Sequence, residues 1–179
     1  MTHDIRVLDR VLATTPDRTL LAQRVALGLI MFPHGAQKLL GWFGGYGFSG
    51  TMGFFTGTMG LPAPLAVLII LAESVGAAAL VLGAGTRLAA LGITAVMIGA
   101  VVTTHLPVGF FMNWAGAQRG EGFEYHLLAL ALALPLLVRG GGALALDGWL
   151  IGRLRAAARR VTDPGSGRTA ASVPSTAGG

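Results

Sequence analysis

The stretch PLAVLIILAESVGAAALVL, Pro64–Leu82, carries a single ionisable side chain, Glu73, in an otherwise apolar run. It shows no period-two alternation and is rich in Leu and Ala, so it reads as helix and not as strand. Its length is close to the ~20 residues that carry a helix across a ~30 Å hydrocarbon core. Working outward, the same pattern recurs at Leu20–Leu40, Thr86–Pro107 and Phe123–Val138, the last of them marginally short. A soluble all-α protein with four such helices would have too little polar surface to cover them. The expected fold class is therefore all-α: an integral membrane four-helix bundle.

Composition agrees. Of 179 residues, 53% are hydrophobic and only 12% charged, and the mean hydropathy is +0.68; soluble domains sit nearer a quarter charged. The absence of cysteine excludes thiol relays, thiolate metal sites and disulfides. The net charge of +5 gathers near the two ends, which fits a membrane surface and not nucleic acid.

The ends divide as follows. Residues 1–19, with three arginines against three aspartates, form a polar segment lacking the apolar core and small-residue cleavage site of a signal peptide. The four-span domain is expected over 20–150. A basic segment over 151–161 follows, and a Gly/Ser/Thr/Pro/Ala-rich tail over 162–179 is expected to be disordered. LDGWLIGRLRAAARR, Leu146–Arg160, is a candidate interfacial amphipathic helix, with Trp149, Leu150, Ile151 and Leu154 entering the headgroup zone. An ordinary basic flank explains it equally well.

Charge bias sets direction. Arg6, Arg10, Arg18 and Arg24 precede or open the first span, Arg87 follows the short turn after the second, and Arg139 and Arg153 follow the fourth. The loop Gly41–Leu61 has no charge, and the loop before the fourth span holds only Arg119 and Glu121. Both termini are thus expected in the cytoplasm and both long loops outside.

Ionisable groups inside spans cost roughly 2.5–3.5 kcal/mol each at mid-membrane, so each calls for a reason. MFPHGAQKLLGW, Met31–Trp42, places His34, Gln37 and Lys38 on one helical face. Counting ~1.5 Å per residue puts His34 ~21 Å above the start of the span. Glu73 falls near mid-membrane, His105 near the outer end of the third span, and Glu124, Tyr125 and His126 in the first turn of the fourth. Pro33 and Gly35 are expected to kink or widen the helix and open a small cavity. Glu73, set among small residues that admit a neighbouring helix, is expected to pair with Lys38 or a histidine. Arg24 and Arg87 apart, every strongly polar residue falls in the outer half or at the midplane, so the bundle reads as polar in its outer half and dry in its inner half.

Bland readings accompany these. Lys38 can snorkel to the interface, and His105 and His126 can be satisfied there by water or backbone. Glu124 and His126, two apart, point in different directions. A metal held by His34, His105, His126 and Glu73 lacks any tight ligand spacing, and no metal site is assigned. The aromatics of the outer loops, Trp42 and Tyr46 among them, read either as an interfacial belt or as a flexible lid over the cavity.

HGAQKLLGWFGG, GLPAP, LAESVGAAALVLG, GTRLAAL, GFEYHLLALALAL and GGALALDGW, in that order, resemble the DoxX family over roughly Leu20–Trp149. The resemblance implies a four-helix protein of the bacterial cytoplasmic membrane. The family takes its name from a subunit of thiosulfate:quinone oxidoreductase, and its relatives are associated with redox stress, quinone or catechol resistance and membrane oxidoreductase complexes. By motif it points to His34, Gly35, Lys38, Glu73, Glu124 and Tyr125. Where other members read NGG-EY, this chain has the longer NWAGAQRGEGFEY.

The leading expectation is a quinone- or quinol-associated subunit. In it Glu73, Lys38 and His34 do the proton and hydrogen-bond chemistry, and Gln37, Trp42, His105, Glu124, Tyr125 and His126 help to bind the ring. Lipid and a partner oxidoreductase subunit are the expected partners, since no motif for flavin, haem or an iron–sulfur cluster is present. Self-association is left open. The alternatives are a non-enzymatic scaffold or assembly factor for an oxidoreductase complex, and a small-solute or metal transporter, which a dry inner half disfavours.

Overall fold

The computed structural model describes residue 8 and residues 10–162, with side chains as far as residue 158. Residues 1–7 and 9 of the expected N-terminal segment, and the tail beyond 162, lie outside the described residues. Among the described residues the chain is all helical, with no strand. α1 spans Arg18–Leu40, α2 Gly47–Gly53, α3 Ala63–Leu82, α4 Thr86–Ala100, α5 Glu124–Arg139 and α6 Leu146–Thr162. A 3₁₀ turn at Trp42–Gly44 precedes α2. Wider π turns at Phe54–Thr58 and Val101–His105 extend α2 and α4.

α1 packs on α3, α3 on α4, α4 on α5 and α5 back on α1, closing a ring. The core between them is built from Leu27 and Met31 of α1, Ala77 and Leu80 of α3, Ala90 and Ile93 of α4, and Ala133 and Leu136 of α5. The alanines keep the axes close. A smaller cluster, Phe55, Ala66 and Ile70, joins the loop after α1 to the start of α3. The outer face is apolar too: Leu29, Leu68, Leu88 and Leu128, one from each long helix, are 59, 62, 69 and 64% exposed. The helices Ala63–Leu82 and Thr86–His105, of 20 residues each, are long and apolar enough to cross a membrane.

The α1–α3 contact corrects one expectation. α1 is a continuous helix with Pro33 inside it, and Gly35 opens no space. A Cβ there would collide with the Glu73 carbonyl and the Ser74 Cα, so the missing side chain is what lets the two helices touch. Lower down, a Cβ on Gly28 would stand 2.7 Å from Val81 Cγ2 and 2.9 Å from the Ala77 carbonyl. Two glycines, seven residues apart, thus seat α1 on α3.

The end of the bundle where α1 begins and α5 ends corrects another. It is not dry. Arg24, read from sequence as part of a basic flank, is 1% exposed. Its Nε donates to the Gly141 carbonyl at 2.9 Å, its Nη1 to Leu80 and Val81 at 2.8 and 2.7 Å, and its Nη2 to Ala143 at 3.3 Å. The guanidinium thereby serves carbonyls in the last turn of α3, where positive charge is favoured. Asp147, 3% exposed, does the converse for α4, accepting from the Gly85 and Thr86 amides at 2.6 and 2.8 Å. Between them Gly83 turns the chain at φ +71°, so close to Ala145 that a Cβ would stand 2.7 Å from its Cα.

This end is clamped further by α1. Asp17 caps it through the Thr19 and Leu20 amides, at 2.7 and 3.3 Å, and meets Arg139 at 3.1 Å. The Ala143 amide donates to the Asp17 carbonyl at 2.9 Å. α6 begins at Leu146, so the boundary expected at 150/151 falls inside a helix. Ile151, expected in the headgroup zone, is 4% exposed and packed on the protein.

Candidate functional site

The loop after α1 decides the shape of the other end. Its glycines suggest flexibility, yet Trp42–Gly44, α2 and Phe54–Thr58 give it near-continuous helical turns, anchored by buried Thr51 and Phe55. The loop, read as either an interfacial belt or a flexible lid, is a folded wall of helical turns. Gln37 helps to hold it: its Nε2 donates at 3.2 Å to the carbonyl of Phe43, which sits at φ +53° in the left-handed region that non-glycine residues rarely occupy. The second long loop is ordered around its acids. Glu121 Oε2 accepts from the Asn113 amide at 2.7 Å, and Glu124 Oε2 from the Met112 amide at 3.3 Å.

Between α1 and the folded wall lies an open cleft of about 260 Å³, lined by Gln37, Lys38, Gly44, Gly45, Tyr46, Thr51, Phe54 and Phe55. Lys38 reaches from this cleft into the bundle, where its Nζ donates to Glu73 Oε2. The Glu73 side chain is 6% exposed and that of Lys38 25%. The Gly35 crossing makes the pair: it brings the middle of α3 level with the last turns of α1, within reach of a lysine side chain. Glu73 lies ten residues, about 15 Å, along α3 from its first residue. The result is a carboxylate held inside the bundle by an ammonium that also borders a cleft. Chemically, the ammonium can donate to an oxygen seated in the cleft, and the carboxylate can hold or release a proton.

The remaining polar residues form a second constellation. The His34 ring lies 5.7 Å from that of Tyr125, Tyr125 5.7 Å from His126, and His126 4.2 Å from His105. This row of rings links α1, α5 and the end of α4. Tyr125 donates to Met31 Sδ at 3.3 Å, and His105 Nδ1 is 2.8 Å from the Glu121 carbonyl. His126 is buried and its Nδ1 has no hydrogen-bond partner among the described residues.

The structure therefore divides the residues expected at one site. Lys38 and Gln37 line the cleft and Glu73 stands behind it. His34, Tyr125, His126 and His105 form the ring row and do not line the cleft. Glu124 holds the second loop. Trp42 is 54% exposed, edge-on to Phe43. Glu124 and His126 do face different surroundings. No group of three or more His, Asp or Glu side chains among the described residues could hold a metal ion. Sequence reasoning missed Thr51 as a cleft residue and Met31 as the Tyr125 acceptor, since neither carries a charge that marks it as costly to bury. Arg24 and Asp147 were missed because their partners are backbone groups, which leave no side-chain pattern.

The DoxX family model matches residues 19–106, which take in His34, Gln37, Lys38, Glu73 and His105 and leave α5 outside. Over 127 residues the chain is 32% identical to "Putative oxidoreductase CatD" of Bacillus subtilis (strain 168), a match covering 71% of this chain and 83% of that protein. No solved structure matches the chain. From the helix that carries Lys38 to the one that carries His105, and at this identity over most of a relative's length, the chain belongs to the DoxX family.

Proposed function

We propose that this chain is a four-span protein of the bacterial cytoplasmic membrane, with both termini in the cytoplasm, and a quinone- or quinol-associated subunit of a membrane redox or oxidative-stress system. Family membership and the relative named as an oxidoreductase support the redox association. The membrane reading is supported by the two long apolar helices and by leucines facing outward from all four.

The observation that carries the site is the Lys38–Glu73 pair at the back of an aromatic-walled cleft. The residues fit a single-ring headgroup: Tyr46, Phe54 and Phe55 line the cleft with aromatic side chains, Lys38 supplies a donor, and about 260 Å³ is room for one ring and little more. A bound quinone would supply the two-electron redox chemistry. The chain's own part is to orient a carbonyl oxygen through Lys38 Nζ and to hold a proton at the Glu73 carboxylate. Electrons would come from a partner oxidoreductase subunit.

The test is quinone content by mass spectrometry, on wild type and Glu73→Gln purified in parallel in native lipid discs. Stoichiometric quinone in wild type and its loss from a folded variant support the reading. Background levels in both defeat it. A structural reading, in which the protein is a scaffold for an oxidoreductase complex, is favoured by the same pair's position on the tight Gly35 crossing. It predicts that Glu73→Gln lowers stability and leaves quinone content unchanged.

A further inference from the structure

α6 leaves the bundle with one side held and the other bare. Asp147 and Ile151 seat its first turns against the protein. Away from them, Leu146, Leu150 and Leu154 follow at the four-residue spacing of a single helical stripe and stay 47, 41 and 36% exposed. Trp149 borders the stripe, 59% exposed, and the Arg153 guanidinium one turn on lies 4.8 Å from its ring centroid. A stripe of leucines edged by an indole–guanidinium pair asks for hydrocarbon on one side and anions beside it.

Among the described residues the surrounding charge is mainly basic. Arg18, Arg87 and Arg139 lie at the same end of the bundle. Of the acids described there, Asp17 and Asp147 cap α1 and α4, and Asp17 also pairs with Arg139. We infer that α6 lies in the membrane interface on the side of the chain termini and binds anionic phospholipid. The leucine stripe meets the upper acyl chains, and Arg153, steered by Trp149, meets headgroup phosphate. The inference rests on the membrane reading above.

The experiment uses the full chain with Trp42→Phe and Trp114→Phe, leaving Trp149 as the only indole, in lipid discs of phosphatidylcholine with and without about 30% phosphatidylglycerol. Expected is a blue shift of Trp149 emission and stronger quenching by brominated-chain lipid when the anionic lipid is present. Salt at about 0.5 M reverses part of the response. Arg153→Glu, on an exposed face, loses the response while keeping its helix content. A Trp149 that stays water-like in both discs overturns the inference. So does one whose burial follows a co-purifying protein and not the lipid. A chain that stays folded and monodisperse in buffer without lipid or detergent overturns the membrane reading itself, a result distinct from a chain that enters discs with an indifferent Trp149.

Discussion

The Lys38 ammonium and the Glu73 carboxylate meet across the α1–α3 crossing, the carboxylate nearly buried and the ammonium still touching the cleft. Removing one partner strands a charge inside the bundle, whereas removing both leaves none. Lys38→Met alone is therefore expected to cost about 3 kcal/mol, near the low end for a buried pair because Lys38 keeps some solvent. The double variant Lys38→Met/Glu73→Gln should cost clearly less than the sum of the singles, with a coupling of about 1–3 kcal/mol. Thermal or denaturant unfolding in detergent measures both. Additivity within about 0.5 kcal/mol would show that the two side chains do not act on one another.

The crossing itself is the second place to probe. Gly35→Ala pushes a Cβ into the Glu73 backbone, and backbone cannot swing aside as a flexible side chain can. A loss of about 2–3 kcal/mol is expected, with Lys38 and Glu73 forced out of register. Gly99→Ala on α4, where a Cβ meets nothing within 4 Å, is the matched control and should be neutral or slightly stabilising. Equal effects from both substitutions would mean that helix propensity, and not the close approach, governs Gly35.

These two sites show what was legible in the sequence. The long helices were, because runs of Leu and Ala at membrane-crossing length leave few alternatives: helix was expected over 64–82 and observed over Ala63–Leu82. Glu73 and Lys38 were legible as costly groups in such runs, and their pairing follows from that cost. The role of Gly35 was not, since a glycine after a proline suggests a kink as readily as a contact. Nor was the folded wall Gly47–Gly53, whose glycines disfavour helix locally while burial of Thr51 and Phe55 overrides them. The polar residues expected at a single cavity divide between the cleft and the row of rings. Sequence spacing gives depth along a helix, but which helix faces which depends on packing around the ring.

Arg24 gives the third prediction. Its guanidinium serves four carbonyls on two segments of chain, an arrangement that a planar five-donor fork makes and an ammonium cannot. Arg24→Gln should cost at least about 3 kcal/mol, and Arg24→Lys should recover only part of it. Folded yield and melting temperature across the three proteins give the order wild type, Lys, Gln. Full recovery by lysine would mean that charge near the end of α3 matters and the fork does not.

The last prediction is a pH dependence at Asp17, outside the apolar part of α1. The Leu20 and Thr19 amides, and secondarily Arg139, hold its carboxyl below the ordinary 3.8. The sign follows from linkage. Below 3.8 the unfolded chain takes up a proton that the folded chain still refuses, so the stability Asp17 contributes is complete above that value and is lost as pH falls through the lowered one. Asn is also a good N-cap and keeps an oxygen for the Thr19 amide, but it has no charge to titrate. Melting temperatures of wild type and Asp17→Asn, measured from pH 7 downward, should therefore differ most near neutrality and converge below about pH 4. Salt should narrow the neutral gap only slightly, because Arg139 is half exposed and its share is small beside that of the amides. A gap that widens on acidification would reverse the sign and show that the carboxylate is strained in the folded chain.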